Sequence, residues 1–454
     1  MASAPLTVVV GAGISGLTCA YALKKAGENV LVLEASDRPG GVIKSVAENG
    51  FLFELGPQSF SGTDALFRIC DELDLASQLL EAPHDVPRFI FLEGKLVPVP
   101  LSPGAFFSSS LLSWRTKFSI LSEVFKTSPP SNADESVASF VRAKFTPELL
   151  DRLVGPFVAG IYAGDPEELS LRAAFPNLYE AEKLSGSIVR GTIRLAKRKT
   201  STQHSRRPGL FSFTKGNQTL PDALAAFLGP ALRVGAGIVS EIERDGDRFV
   251  LKVAGAGGAE EIRADKVVLA TPTTVNADLL RSIAPAASVP SFDIEYAPVA
   301  VVSHGYGKDQ VKTDLRGFGL LIPRSQNILT LGTVWNSSLF PGRAPAHHVL
   351  VTSFIGGARK PKMHHLSDQE SADFVRREVG QILRVSGDPV IERVTNYHSA
   401  IPQYNLGHTK RLETIRQAVA TVPRLWMVGN YWKGPAIGVC VENALAVAEA
   451  ARIG

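Results

Sequence analysis

Residues 5–41 constrain the fold more than any other stretch of the chain. A short uncharged run rich in valine, residues 5–10, leads into the segment 11–16, which is Gly-Ala-Gly-Ile-Ser-Gly. A helical pattern over residues 17–26 follows, and a second apolar run ends at Glu34, 18 residues after the third glycine. A Gly-x-Gly-x-x-Gly motif alone is weak, but its place between a strand and a helix makes it specific. The pattern predicts a βαβ dinucleotide-binding unit.

Each glycine of this motif has a physical role in binding a pyrophosphate. Gly11 permits the tight turn, Gly13 lets the backbone approach the phosphates, and Gly16 lets the helix pack closely on the strand. The helix N-terminus adds free N–H groups and a positive dipole, while Glu34 accepts hydrogen bonds from ribose hydroxyls and disfavours NADP. The alternative is a tight turn without a ligand. The predicted contacts are Gly11, Ala12, Gly13, Ile14, Ser15, Gly16, Glu34 and Ala35.

Length and composition bound the rest of the chain. A chain of 454 residues with 45% hydrophobic and 20% charged residues predicts two or three globular domains. The net charge of +4 is too small to indicate nucleic-acid binding. Three distant cysteines, Cys19, Cys70 and Cys440, form neither a Cys-x-x-Cys pair nor a disulfide framework, which favours a reducing compartment. We expect a cytoplasmic protein, since neither a signal peptide nor a membrane-spanning apolar run is visible.

Two stretches have the composition of a membrane-facing surface. Residues 101–128 hold many aromatic and aliphatic side chains among serines, and residues 183–221 contain nine basic residues and no acidic one. The first stretch predicts either the core of a helical subdomain or a segment in a membrane interface. The second predicts either a solvated basic loop or a surface attracted to anionic lipid, which would place the protein on the inner membrane face. Nucleic acid is disfavoured, because no aromatic residues interleave the basic cluster at 194–207.

A second glycine-rich segment follows Glu34. Residues 35–42 are Ala-Ser-Asp-Arg-Pro-Gly-Gly-Val, and residues 53–59 are Phe-Glu-Leu-Gly-Pro-Gln-Ser. Together with the first motif, these segments resemble the flavin amine-oxidase superfamily, in which a Gly-Gly loop lies against the pyrophosphate and the ribityl chain. The resemblance implies FAD as a non-covalent cofactor, because no cysteine lies in a Gly-Gly-Cys-Tyr type of setting. It adds Gly40, Gly41, Val42, Gly56, Pro57, Gln58 and Ser59 to the predicted cofactor contacts.

The resemblance also implies an α/β fold with a discontinuous, Rossmann-like FAD-binding domain. We expect residues 1–86, 214–288 and 415–454 to form that domain and residues 289–414 to form a mixed-sheet substrate domain. Residues 87–213 are expected to form a helical subdomain, for which contact with a membrane is left open. In the superfamily a residue matching Val239 contacts the adenine. A C-terminal strand, turn and helix then lie near the flavin ring. These segments add Val239, Thr271, Gly429, Asn430, Pro435, Ala436 and Ile437 to the cofactor contacts.

Segments 53–57, 157–165, 317–323 and 401–408 narrow the resemblance further. With them the chain resembles the oxygen-dependent, FAD-containing protoporphyrinogen oxidases over residues 5–451. We interpret residues 156–165 as an apolar, glycine-rich connection.

The family implies several substrate contacts. Arg88 would pair with a propionate of the tetrapyrrole, the Gly160 carbonyl would approach the pyrrole N–H groups, and Leu321, Val334 and Phe354 would sandwich the rings. From the residues alone, Arg88 also fits an exposed strand arginine, and the three apolar residues also fit a plain core.

The reaction implied by the resemblance is the oxidation of protoporphyrinogen IX to protoporphyrin IX. Six hydrogens leave over three flavin cycles, and O₂ reoxidises the flavin and becomes hydrogen peroxide. The sequence shows no protein general base, so we predict no catalytic side chain and assign the proton movements to tautomerism of the macrocycle. Coproporphyrinogen III is the alternative substrate. An amine oxidase and a non-enzymatic binding protein similar to the Rab GDP-dissociation inhibitors are further alternatives, and the oligomeric state is left open.

Overall fold

The structure of the chain, a computed structural model, describes residues 5–125, 133–200, 209–255 and 258–454. The end of the predicted apolar stretch, residues 126–128, and the basic residues Arg206 and Arg207 lie outside the described residues.

The strands are β1 (Leu6–Val10), β2 (Asn29–Leu33), β3 (Ser45–Glu48), β4 (Phe51–Glu54), β5 (Phe60–Ser61), β6 (Leu79–Glu81), β7 (Arg88–Leu92), β8 (Lys95–Pro98), β9 (Leu210–Phe213), β10 (Leu232–Arg233), β11 (Ile238–Asp245), β12 (Arg248–Gly255), β13 (Gly258–Ala264), β14 (Lys266–Leu269), β15 (Tyr296–Gly307), β16 (Gly319–Leu321), β17 (Gly332–Val334), β18 (His348–Gly356), β19 (Ile391–Pro402) and β20 (Leu425–Met427).

The α-helices are α1 (Ile14–Lys25), α2 (Asp64–Glu72), α3 (Pro103–Ser108), α4 (Trp114–Glu123), α5 (Val137–Lys144), α6 (Pro147–Leu149), α7 (Gly155–Tyr162), α8 (Leu171–Ala174), α9 (Pro176–Ser185), α10 (Ile188–Thr200), α11 (Thr219–Leu228), α12 (Thr273–Leu279), α13 (Pro285–Phe292), α14 (Asn336–Leu339), α15 (Asp368–Leu383), α16 (His408–Ala420) and α17 (Ile437–Ile453). A π-helical turn, Leu150–Val154, joins α6 to α7.

A parallel sheet with a core on each face carries the first motif. Its strand order is β10-β2-β1-β14-β20, and every pairing is parallel. The β1 side chains alternate between the two cores, as the period of a strand requires. Val9 packs with residues of α1 and α17, whereas Val8 and Val10 pack with residues of β12, α16 and β20. A buried parallel sheet needs apolar residues on both faces, and this explains the uncharged valine run.

A second, mixed sheet is built from distant parts of the chain. Its order is β19-β15-β18-β17-β16-β7-β8. The pairing of β16 with β7 is parallel, and the other pairings are antiparallel. This sheet includes β7 and β8, so the predicted domain boundary at residue 87 does not coincide with its edge. Helix α15 packs Val375, Val379 and Ile382 against one face of this sheet.

The helices α3 to α10 pack beside the mixed sheet, and two predictions there are wrong. Residues 156–165 are not a connection, because α7 runs through residue 162. Pro156 lies in the first turn of that helix, where a proline is tolerated. Residues 188–200 are likewise helical and not a loop. The N-terminus of α10 is capped from outside the segment, since Glu123 of α4 accepts hydrogen bonds from the amides of Ile188 at 2.7 Å and Val189 at 3.2 Å.

Within the described residues, no helix is both long and apolar enough to span a bilayer. Cys19, Cys70 and Cys440 are all buried, and none of the three forms a disulfide bond.

Candidate active site

The first glycine motif forms a tight turn between β1 and α1. Gly11 has a φ angle of 101°, which residues with a side chain rarely adopt. A Cβ atom at Gly16 would lie 2.0 Å from the Gly11 carbonyl oxygen, so only glycine lets α1 pack on this turn. A Cβ atom at Gly13, by contrast, would meet no atom within 4 Å. Gly13 is also the N-cap of α1 and makes no side-chain cap, so the first-turn N–H groups remain available to an anion.

Glu34 is fixed at the carboxyl end of β2. Its Oε2 accepts a hydrogen bond from the Ala12 amide at 2.7 Å. Its Oε1 accepts from the Ser36 amide at 2.9 Å and from the Ser36 hydroxyl at 2.7 Å. The carboxylate therefore lies against the glycine turn, the place where a dinucleotide ribose would be bound.

The structure places Thr271 and Val239 differently around the same turn. The Thr271 Cγ2 atom would lie 3.2 Å from a Cβ atom at Gly11, so Thr271 borders the turn directly. Val239 on β11 is buried in the core that also contains Val10 and Leu33. Both residues are therefore close to the βαβ unit, although neither position by itself shows a contact with a cofactor.

The predicted Gly-Gly loop lies directly on the first motif. Gly40 forms a parallel bridge with Gly13, and its amide donates to the Ala12 carbonyl at 2.8 Å. Both glycines have positive φ angles, 108° for Gly40 and 58° for Gly41. A Cβ atom at Gly41 would lie 3.3 Å from the Gly13 Cα atom, so this approach requires small residues. The two glycine loops, 29 residues apart at Gly11 and Gly40, therefore form one surface.

Arg38 fixes the conformation of the Gly-Gly loop, a role that was not predicted from the sequence. Its Nη1 donates to the carbonyls of Pro39 at 3.1 Å and Ile43 at 3.0 Å, and its Nη2 donates to the Gly41 carbonyl. A guanidinium carries several donors in a fixed fork, so one side chain can fix three carbonyls. The signal was present in the sequence as a single arginine just before the two glycines.

The segment 56–59 packs against the Gly-Gly loop. A Cβ atom at Gly56 would lie 1.9 Å from the Val42 carbonyl oxygen, so the two segments are in direct contact. Gln58 is buried, and its Nε2 donates to the carbonyls of Glu54 at 2.9 Å and Gly56 at 2.8 Å. Its Oε1 accepts from Asn336 at 2.6 Å. The Gln58 side chain therefore serves the protein, and only its backbone remains for a cofactor.

The C-terminal segment closes the site from the other side. Ile437 begins α17, and its N-cap Ala436 makes no side-chain cap, so a second helix N-terminus has available N–H groups. Ser15 of α1 forms a hydrogen bond with Cys440, which places this terminus beside the first motif. The Tyr404 hydroxyl donates to the Asn430 carbonyl and fixes the turn after β20.

Glu54 and Arg343 form a buried ion pair next to the segment 56–59, and this pair was not predicted from the sequence either. Arg343 Nη2 lies 3.4 Å from Glu54 Oε1, and both side chains are almost fully buried. Glu54 also accepts from the Ser45 hydroxyl at 2.6 Å and from the Asn217 amide at 2.9 Å. Asn217 Nδ2 in turn donates to the Pro57 carbonyl at 2.7 Å, so the pair supports the segment 56–59. Among the described residues, Arg343 Nε and Nη1 have no hydrogen-bond partner.

Burial changes the titration of both partners. It raises the pKa of the Glu54 carboxyl to about 7, although the charge of Arg343 and the hydrogen bonds from Ser45 and Asn217 oppose the rise. It lowers the pKa of the Arg343 guanidinium, and the Glu54 charge opposes that change.

The predicted substrate residues share one face of the mixed sheet. Cross-strand pairing joins Arg88 to Gly319 and Gly319 to Val334, and it joins Leu321 to Gly332 and Gly332 to Phe354. Paired residues lie on the same face, as do residues two apart on a strand. The register therefore puts four of the five predicted contacts, Arg88, Leu321, Val334 and Phe354, on one face, none of them fully buried.

We call this surface the substrate face, and α7 covers part of it. A Cβ atom at Gly160 would lie 2.8 Å from Leu321 Cδ2, so a residue with a side chain here would have to displace the Leu321 side chain. The Arg88 guanidinium lies over the Phe318 ring at 5.2 Å, at the edge of the face. The opposite face carries buried residues such as Leu320 and Thr333. The structure brings all five predicted residues together, but it does not show a substrate among them.

The chemistry of the two glycine loops fits FAD. Two glycines with positive φ, an uncapped helix N-terminus and a fixed carboxylate are the parts that a pyrophosphate and a ribose need. The open space at Gly13 leaves room for the backbone to meet the phosphates.

Comparison with known proteins agrees with this chemistry. Residues 14–453 match the flavin-containing amine oxidoreductases, and the chain belongs to that family. Within the family it is similar to the chloroplastic protoporphyrinogen oxidase of Nicotiana tabacum, with 35% identity over 97% of this chain and 84% of that protein. It is also similar to the coproporphyrinogen III oxidase of Bacillus subtilis (strain 168), with 25% identity over 97% of this chain and 96% of that protein.

A solved structure shares the fold. The chain superposes with a TM-score of 0.83 and 24% identity on a provisionally assigned protoporphyrinogen oxidase from Exiguobacterium sp. 255-15, covering 100% of this chain and 99% of that one. The predicted family resemblance, the α/β fold class with its mixed sheet, and FAD as the cofactor are confirmed. The contacts assigned to individual residues stay predictions.

Proposed function

We propose that the chain oxidises protoporphyrinogen IX to protoporphyrin IX, using FAD and O₂ and releasing hydrogen peroxide, as a step of porphyrin biosynthesis. The observation that carries the proposal is the substrate face, a partly buried apolar surface with one arginine at its edge, in a chain that also forms the glycine turn for FAD. A flat apolar macrocycle with carboxylate side chains is complementary to such a surface. The identity of 35% to a chloroplastic protoporphyrinogen oxidase, against 25% to a coproporphyrinogen III oxidase, supports this choice of substrate.

The residues of the chain bind and orient the reactants. The bound FAD would supply the hydride acceptor. Gly13, Gly40 and Gly41 leave its pyrophosphate room against the backbone, and Glu34 would hold the ribose. Leu321, Val334 and Phe354 provide apolar walls that exclude water from the macrocycle, while Arg88 would bind a propionate. We assign no side chain to proton transfer.

The test is anaerobic mixing of the purified protein with protoporphyrinogen IX and, separately, with coproporphyrinogen III. We expect the yellow flavin absorbance to bleach with the first substrate, porphyrin fluorescence to appear, and peroxide to form once air is admitted. An unbleached flavin with both substrates would reject the proposal. A larger kcat/KM for coproporphyrinogen III would replace the substrate.

We further propose that the flavin is not covalently attached. The basis is the complete set of glycine loops together with cysteines that are all buried and outside the Gly-Gly-Cys-Tyr type of setting. Acid precipitation should release all of the yellow colour into the supernatant, and flavin that stays in the pellet would contradict the proposal.

We also propose that α3, α4 and α10 form a surface that contacts anionic membrane. The side chains of Phe107, Trp114, Phe118 and Phe125 are exposed, Phe118 by 65% and Phe125 by 84%. Lys117 stabilises this aromatic cluster from within, since its buried Nζ donates to the carbonyls of Phe107 at 2.8 Å and Ser109 at 2.7 Å. Exposed aromatic side chains of this kind are typical of membrane interfaces.

The basic helix α10 adjoins this cluster. Glu123, the last residue of α4, accepts hydrogen bonds from the Ser187 hydroxyl at 2.8 Å and from the first amides of α10. The apolar and the basic stretches predicted from the sequence are therefore neighbours. Sedimentation with vesicles should show binding to anionic vesicles and weaker binding to neutral ones, and the variant Phe118→Ser/Phe125→Ser should lose most of it. Equal binding to both vesicle types would reject the proposal.

A further inference from the structure

A cavity of about 300 Å³ lies beside the substrate face and has no role in the proposed function. It opens between α7, the segment 322–331 that joins β16 to β17, and the segment 356–360 that begins at the end of β18. We call it the distal cavity. Its walls are largely apolar and include Pro156, Ala159, Ala163, Ile322 and Leu331.

The distal cavity continues the substrate face away from Arg88. Its lining residues Ala163 and Leu331 pack in one apolar cluster with Phe354 of the substrate face. Strand β16 runs from Gly319, the partner of Arg88, through Leu321 and toward this cavity. A ligand that is held by Arg88 and extends along β16 past Leu321 would therefore reach toward the distal cavity.

The charges at the distal cavity are mostly basic. Arg142 pairs with Glu167 at 2.5 Å, and Arg359 pairs with Asp165, so these four groups neutralise one another. Three charged groups remain: Arg324 and Lys360 on the two sheet segments, and Asp151 on the π-helical turn opposite. In the described part of the chain none of these three side chains makes an ion pair.

The environment of Asp165 shows that the charge of Arg324 is felt inside this region. Burial opposes ionisation of Asp165, but the hydrogen bonds from Arg359 and the Glu167 amide and the charges of Arg359 and Arg324 outweigh it and hold the pKa of that carboxyl below its usual range. An anionic group entering the distal cavity would meet the charge of Arg324, which has no ion-pair partner of its own among the described residues.

We propose that the distal cavity is a second carboxylate subsite, in which Arg324 and Lys360 bind an acidic side chain on the edge of a tetrapyrrole opposite Arg88. The inference rests on the proposed function and extends it to specificity. Protoporphyrinogen carries two carboxylates and coproporphyrinogen carries four, so a tetrapyrrole with acidic groups on both edges is the ligand that uses both subsites. Asp151 limits the affinity, because it repels the same group.

The test is equilibrium binding of the two stable porphyrins to the FAD-loaded protein, followed by porphyrin fluorescence. The probes are coproporphyrin III, with four carboxylates, and protoporphyrin IX, with two. For the double variant Arg324→Gln/Lys360→Gln we expect the affinity for coproporphyrin III to fall about three- to tenfold more than the affinity for protoporphyrin IX. For Asp151→Asn we expect the opposite shift, about two- to threefold in favour of coproporphyrin III.

Arg316→Gln is the matched control, because the Arg316 side chain is 90% exposed and pairs with Asp314 away from the distal cavity. The ratio of the two affinities should stay at the wild-type value in this variant. An unchanged ratio in the double variant, or a shift toward protoporphyrin IX in Asp151→Asn, overturns the inference. Failure of the proposed function has a separate signature, since the wild-type protein would then bleach its flavin with neither porphyrinogen, whatever porphyrins it binds.

Discussion

The cofactor loops and the substrate face are built on opposite principles. Around the loops several polar side chains are fixed by directed bonds: Arg38 donates to three carbonyls, Glu34 accepts three hydrogen bonds, and Glu54 is paired while almost fully buried. On the substrate face the residues Leu321, Val334 and Phe354 are apolar and half-buried. Directional bonds fix one geometry, whereas apolar walls accept a flat ligand with little orientation. The first region therefore specifies one molecule, and the second depends on its edge charges for specificity.

The strongest test of this comparison changes two glycines of one motif. Gly16→Ala brings a Cβ atom to 2.0 Å from the Gly11 carbonyl oxygen, so α1 must move and we expect the FAD content and the Tm to fall together. Gly13→Ala meets no protein atom within 4 Å. Its methyl group occupies only the space of the ligand, so the Kd for FAD should rise at least tenfold while the Tm of the apoprotein stays near the wild-type value. Equal Tm losses in both variants would contradict this assignment.

Removing one partner of the buried Glu54–Arg343 pair tests the hydrogen-bonded region around the cofactor loops. Arg343→Met leaves the Glu54 carboxyl buried without its partner, which should lower the free energy of unfolding by roughly 3–5 kcal/mol. The double variant Glu54→Gln/Arg343→Met removes both charges, and we expect it to recover more than half of that loss in urea denaturation. Equal losses of stability in the single and the double variant would contradict a stabilising ion pair between Glu54 and Arg343.

Removing the charge of Arg88 tests the substrate face. We expect Arg88→Ala to lower kcat/KM for protoporphyrinogen by a factor that corresponds to about 1–3 kcal/mol, mainly by raising KM. The reason is that a substrate carboxylate at the edge of the substrate face loses its partner. Arg88→Lys should recover part of the loss, since an ammonium cannot form two parallel hydrogen bonds. Lys95→Ala, at the start of the neighbouring strand β8, is the matched control. Normal kinetics in a yellow, folded Arg88→Ala protein would remove Arg88 from the site.

The last test concerns the pH dependence of stability. The pKa of Glu54 rises on folding from 4.5 to about 7, so the folded state binds the proton more tightly. The contribution of Glu54 to stability is therefore fully present below pH 4.5 and is lost as the pH rises through about 7. Glu54→Gln should flatten this part of the curve when the free energy of unfolding is measured across that pH window. A steeper decline in the variant would contradict the assignment.

The βαβ turn could be predicted from local sequence because its parts are local, whereas the contacts that its residues make with FAD stay predictions. The turn, the helix start and Glu34 lie within one βαβ unit, and each glycine has a steric reason visible from the motif. The Glu54–Arg343 pair could not be found in this way. Its partners are 289 residues apart, and a lone arginine in a loop carries no signal of burial.

Two helices were missed because tertiary contacts override local propensity. Gly160 costs α7 roughly 1 kcal/mol of intrinsic helix stability, and a larger residue would have to displace the Leu321 side chain. Helix α10 lacks acidic residues in its first turn, and its N-terminal amides are capped by Glu123, more than 60 residues earlier in the chain. The sequence of either segment alone does not contain the residue that stabilises it.

The order of the strands in the parallel sheet has a consequence for biosynthesis. The cofactor site combines β1 and α1 from the start of the chain with β20 and the N-terminus of α17 from its end. During translation the N-terminal half of the site is exposed to solvent for the time that the ribosome needs to add some 400 residues. We therefore expect cofactor loading to be a late event, after α17 has left the exit tunnel of the ribosome. A chain that terminates before α17 lacks one wall of the site, whatever the state of its glycine motif.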